Sequence, residues 1–92
     1  MAHLQQYIRP LPGPILVTGA SGFVGANLFK AIAAVRDDVF AVTRREKNWR
    51  LSDVKDQWVV AVDFKDYAAT KNLINSVAPQ TVFDCMAYGA YS

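Results

Sequence analysis

Residues 17–25 read VTGASGFVG, and the three glycines, Gly19, Gly22 and Gly25, are spaced three and three. Directly before them runs PILVT (14–18), a short apolar stretch rich in β-branched residues, which predicts a buried strand. Directly after them, GFVGANLFKAIAAV (22–35) places Val24, Leu28, Ile32 and Val35 at helical spacing on one side. Strand, tight turn and helix therefore follow one another, and each glycine has a distinct task. Gly19 lets the chain turn sharply off the strand, and Gly22 leaves room for backbone to approach a diphosphate. Gly25 lets the helix pack closely on the sheet. The start of that helix presents unpaired N–H groups and a positive dipole end, the elements of an anion site. A nucleotide-triphosphate P-loop is excluded, because no Gly-Lys-Ser/Thr follows the turn.

Working outward, the same alternation continues. DVFAVT (38–43), WVVAVDF (58–64) and TVFDCMAY (81–88) read as three more apolar strands. NWRLSDVKDQ (48–57) reads as a weak, short helix or turn. DYAATKNLINSVA (66–78) reads as a helix, capped at its start by Asp66 and stopped by Pro79. Leu73, Ile74 and Val77 form its apolar stripe. Strands that are apolar on both faces and separated by helices predict a parallel sheet covered on both sides. Right-handed crossovers give the order 3-2-1-4, half of a doubly wound α/β sheet. The first two helices then lie on one face and the third on the other, leaving the fourth strand as a bare edge. A piece of a longer protein is expected on this ground. Residues 1–13 are expected to be a flexible leader and 14–92 the N-terminal part of a nucleotide-binding domain.

Composition narrows the function classes. The chain is 52% hydrophobic and 20% charged, as expected of one small globular domain. A net charge of +2 is too weak and scattered for a nucleic-acid surface. No apolar run approaches the ~18 residues of a membrane span, and MAHLQQYIRPLPGP lacks the apolar core of a signal peptide. The lone Cys85 cannot form an internal disulfide, fits a reducing cytoplasm and reads as a small buried hydrophobe. His3 has no second His or Cys near it, so no metal site is expected.

The string VTGASGFVG resembles the opening of the extended short-chain dehydrogenase/reductase family, the NAD(P)-dependent epimerases, dehydratases and reductases. The resemblance covers essentially residues 14–92, corresponding to the family's N-terminal third. It implies a Rossmann-type domain that binds a dinucleotide through Gly19, Ser21, Gly22 and Gly25, with Phe23 and Val24 at the helix start beside the diphosphate. NAD-binding members hold the ribose with an acid 18 residues beyond the third glycine, which falls on Thr43 here (25 + 18 = 43). Instead of an acid, the strand runs into Thr43, Arg44 and Arg45. A threonine and two guanidiniums can hold a 2′-phosphate, so NADP is expected ahead of NAD. By the same resemblance, Asp63 accepts from the adenine amine and Phe64 offers its backbone N–H; Asp63 could alternatively cap the next helix. Ala87 and Tyr88 would line the diphosphate and the ribose on the nicotinamide side, although Tyr88 replaces the usual small residue and Cys85 stands where histidine is frequent. The string AYGAYS (87–92) looks most like members acting on nucleotide-linked sugars.

A second tyrosine invites a catalytic reading. Tyr67 and Lys71, in YAATK, have the Tyr-x-x-x-Lys spacing of the family's proton-transferring pair. That pair belongs after a fifth strand, whereas Tyr67 and Lys71 follow the third, on the adenine side and with no Ser or Thr ending the strand before them. They are expected to be surface residues, so no catalytic residue is assigned within 1–92. The parent is expected to be an NAD(P)-dependent enzyme acting on a small molecule in the cytoplasm, and this piece alone to be inactive and to self-associate through its open edge. The competing expectation is a non-catalytic NADP-binding sensor or scaffold. A phosphoacceptor domain is set aside, because strand one ends in Thr18 and Gly19 rather than in acids.

Overall fold

A computed structural model describes residues 5–20, 22–44, 51, 53 and 58–85 of the chain. Four parallel strands, β1 (Ile15–Thr18), β2 (Val39–Thr43), β3 (Val59–Ala61) and β4 (Thr81–Asp84), form one sheet in the order β3-β2-β1-β4. This is the expected order. The helices are a single turn, α1 (Gln5–Ile8), followed by α2 (Phe23–Ala33) between β1 and β2, and α3 (Tyr67–Val77) between β3 and β4. Most of the helix or turn expected over 48–57 lies outside the described residues.

β1 occupies the centre and is buried along its whole length. Its register pairs Thr18 with Val42 on one side and with Asp84 on the other. The carboxyl ends of three strands are thereby brought level, and this is where the loops of interest emerge.

The sheet separates two apolar clusters. On the α2 face, Ile15 and Val17 meet Val39, Ala41, Ala26, Phe29, Ile32 and Leu51. On the α3 face, Leu16, Val42 and Val62 meet Leu73, with Ala69, Val77, Phe40, Val60 and Phe64 packed around them. The buried stripe of α2 is Gly25, Ala26, Phe29 and Ile32, while Val24 is exposed and Leu28 only half-buried. This corrects the predicted stripe of Val24, Leu28, Ile32 and Val35. Periodicity establishes a helix, but its rotation is set where it comes closest to the turn, at Gly25.

α3 begins as its sequence predicts. The Asp66 carboxylate accepts from the Ala69 N–H at 3.1 Å, and the helix ends at Ala78 in the left-handed conformation, φ 49°. Its buried side is narrower than expected. Leu73 is buried and Val77 half-buried, but Ile74 is exposed. On the same face, Val82 of the edge strand β4, level with Leu16, is 51% exposed.

Residues 5–13, part of the stretch expected as a leader, contribute to the packing. Ile8 is buried in the α2-side cluster, with Leu11 against it. Arg36 Nη1 donates to the carbonyls of Ile8 (3.1 Å) and Leu11 (2.5 Å), while Nε and Nη2 grip the Asp38 carboxylate at 2.8 and 2.7 Å. A guanidinium can do both at once because its donors form a rigid fork. A Cβ at Gly13 would collide with that carboxylate, so any other residue there would have to push the Arg36–Asp38 pair aside.

Candidate functional site

The turn after β1 is built from several short-range constraints. Gly19 has φ 64°, a conformation that side chains rarely adopt, and this sends the chain off the strand. The Ala20 N–H donates to the Val42 carbonyl at 3.1 Å, tying the turn to β2, and the Gly22 N–H donates to the Gly19 carbonyl at 3.2 Å. A Cβ at Gly25 would run into the Gly19 carbonyl, with the carbonyl carbon at 2.8 Å and Ala20 Cα at 3.0 Å. Gly25 thus lets the helix close on the turn itself, a narrower contact than the helix-to-sheet approach expected from sequence.

Gly22 differs from the other two. Its φ of −80° and ψ of 170° suit any residue. A Cβ there would meet only the Gly19 carbonyl oxygen, at an ordinary 3.6 Å. Neither the backbone conformation nor packing among the described residues requires glycine at this position, although an N-cap favours glycine over alanine. As the N-cap of α2 it also provides no side-chain oxygen, and the first turn holds no acid. The amides of Phe23, Val24 and Gly25 therefore meet no capping side chain from Gly22, and no acidic residue of the first turn offsets the positive end of this eleven-residue helix. Phe23 and Val24 flank this mouth, 71% and 50% exposed.

The other strand ends converge on the same edge of the sheet. Thr43 closes β2 but is 1% exposed, and its carbonyl accepts from the Val62 N–H at 2.8 Å. Of the basic pair that follows, Arg44 is exposed and Arg45 lies outside the described residues. Beyond β3, Asp63 is exposed. Its Oδ1 accepts from the Lys65 N–H at 3.0 Å and its carbonyl from the Asp66 N–H at 2.8 Å, a turn that fixes its direction. The helix cap is Asp66, so the alternative task offered for Asp63 is already filled. The Phe64 ring packs into the α3-side cluster, which leaves its main chain as the part facing the strand ends. Ser21, Ala87 and Tyr88 lie outside the described residues.

Tyr67 is the first residue of α3 and is 78% exposed, and Lys71 is exposed one turn later. Both lie on α3, which follows the edge strand β3 and packs on the face opposite α2.

One polar contact at the site was not visible in the sequence. The buried Thr18 hydroxyl donates to Asp84 Oδ1 at 2.9 Å, across a separation of 66 residues. In return, the Cys85 N–H donates to the Thr18 carbonyl at 3.2 Å. Partial burial, reinforced by the neighbouring Asp84 charge, pushes the Cys85 thiol above its ordinary range and keeps it protonated at neutral pH.

With a glycine turn, a bare helix N-terminus and level strand ends in place, the comparisons are decisive. The profile of the NAD dependent epimerase/dehydratase family matches residues 15–92. The chain belongs to this family. Among curated proteins and solved structures, none matches it. Membership implies a nicotinamide dinucleotide cofactor, and the residues present fit one. The helix mouth suits a diphosphate, the open side of Gly22 leaves it room, and Arg44 and Asp63 are exposed just beyond β2 and β3. Among the described residues no helix is long and apolar enough to cross a membrane.

Proposed function

We propose that residues 18–25 hold the diphosphate of NADP for an enzyme that interconverts or reduces a nucleotide-linked sugar. The observation that carries the proposal is Gly22. Gly19 and Gly25 are required by a positive φ and by close contact, whereas at Gly22 the described residues leave open space on the outer side and impose no more than the ordinary N-cap preference. The preference for NADP is supported by the exposed Arg44 where an acid would otherwise receive the ribose. Asp63, oriented by its own turn, is assigned to the adenine amine, and Ser21, Phe23 and Val24 to the surroundings of the diphosphate. Arg45, Ala87 and Tyr88 are assigned to the cofactor on family resemblance. The sugar-nucleotide substrate rests on the resemblance of residues 87–92 alone.

Once bound, the nicotinamide accepts or returns a hydride. The residues described here bind and orient the cofactor; proton transfer is not assigned to Tyr67 or Lys71, which are solvent-exposed on α3.

The test uses the full-length protein. Gly22→Ala should lower the melting temperature only slightly, as an N-cap change does, and weaken NADPH binding at least tenfold, about 1.4 kcal/mol. Unchanged NADPH affinity in that variant would refute the diphosphate assignment. Arg44→Ala should weaken NADPH by about tenfold, as expected for a lost charge-assisted contact, and leave NADH binding alone. Equal affinity for both cofactors before and after that change would refute the preference.

A further inference from the structure

Thr18 is the last residue of β1 and the first of the glycine turn, and its hydroxyl is buried. The turn is fastened to β2 through Ala20 and Val42. On its other side it is fastened to β4 by two hydrogen bonds of opposite direction. The Cys85 N–H donates to the Thr18 carbonyl, and the Thr18 hydroxyl donates to Asp84 Oδ1 at 2.9 Å, with the Phe83 carbonyl a longer 3.5 Å away. The crevice between β1 and β4 is the switch point of the sheet, since α2 leads from β1 toward β2 while α3 returns the chain to β4 on the opposite face.

We propose that Asp84 is a positioning residue for the bound dinucleotide, acting through Thr18 to fix where the glycine turn leaves the strand. The inference rests on the dinucleotide assignment above. A carboxylate is acceptor-only, so it compels the Thr18 hydroxyl to donate, and the bond is charge-assisted. Both effects hold the first residue of the turn in one setting, and with it the direction of the amides that follow. Charge by itself acts in the opposite sense, because an anion on the rim of a diphosphate site repels the ligand. Position and charge therefore predict different outcomes when Asp84 is changed.

The experiment is a calorimetric titration of the full-length protein with NADPH, for the unaltered chain, Asp84→Ala, Asp84→Asn, Thr18→Val and the double variant Asp84→Ala/Thr18→Val. Asp84→Ala and Thr18→Val should each weaken NADPH about fivefold, the worth of one hydrogen bond. The double variant should be no weaker than the weaker single, because both changes remove the same bond. Asp84→Asn, which keeps an acceptor and drops the charge, should bind within about twofold of the unaltered protein or more tightly. Thr18→Val is nearly isosteric and carries the test should Asp84→Ala fold poorly. Undiminished affinity in both Asp84→Ala and Thr18→Val overturns the inference and leaves the glycine-turn assignment standing. So does an Asp84→Asn variant as weak as Asp84→Ala. An unaltered protein that binds neither NADPH nor NADH overturns the assignment and the inference together.

Discussion

The two faces of the sheet share the same strands and are finished differently. On the α2 side, Phe29, Ile32, Leu51 and Ile8 close over Ile15, Val17, Val39 and Ala41, and every one of these side chains is buried. On the α3 side only Leu16, Val42, Val62 and Leu73 reach that state, and Ile74 and Val82 remain in solvent. The sealed face also carries the helix whose N-terminus forms the candidate site. A helix that must present its amides accurately to a ligand needs a fixed axis, and dense packing provides one. α3 has a lighter task, returning the chain to the switch point, and a narrow apolar contact suffices for it.

The contrast can be tested by substitution in the full-length protein. The largest loss should come from Phe29→Ala, which opens a cavity at the centre of the sealed face and should cost about 3–5 kcal/mol in urea unfolding. Leu73→Ala removes the one fully committed side chain of α3. It should cost about 2 kcal/mol, near the low end for such truncations, because the open face can relax around the gap. If Leu73→Ala proved as damaging as Phe29→Ala, the two faces would be equivalent and the contrast would disappear. Ala78→Gly should act in the other direction. The left-handed cap of α3 strains an alanine and suits a glycine, so thermal melts should show a gain of about 0.5–1 kcal/mol.

The smallest effect concerns the strap on the sealed face. Hydrogen bonding from Arg36, against a smaller opposing effect of burial and with some help from its charge, holds the Asp38 carboxyl below its ordinary value. A depressed folded-state value means that this stabilisation is complete above the unfolded-state pKa of about 4 and fades as pH falls through the lower folded value. Asp38→Asn should lower the melting temperature slightly at neutral pH, as befits a solvent-accessible pair, and its difference from the unaltered protein should close as pH falls below about 4.

Much of the architecture could be read from the chain. Four β-branched runs, the helices after the first and third of them, and the 3-2-1-4 order followed from apolar patterning and crossover handedness, which depend on local composition and chain chirality. The separate tasks of Gly19 and Gly25 were also legible, because spacing alone places them at a turn and at a helix's first contact. Less legible was which way each helix faces. Val24 and Ile74 belong to plausible stripes and yet lie in solvent, since a periodic pattern tolerates a small rotation and only a close contact settles it. The burial of Thr43 at the end of β2 likewise becomes apparent only when the neighbouring strand is in place.

The sequence by itself determined that a strand, a glycine turn and a helix meet in that order, because conformational freedom and apolar periodicity are properties of neighbouring residues. Tertiary structure alone decided that Thr18 meets Asp84, that Arg36 holds the carbonyls of Ile8 and Leu11, and that Gly22 has open space on its outer side. Those facts depend on groups far apart in the chain that come within a few ångströms only after the parallel strands have set their register.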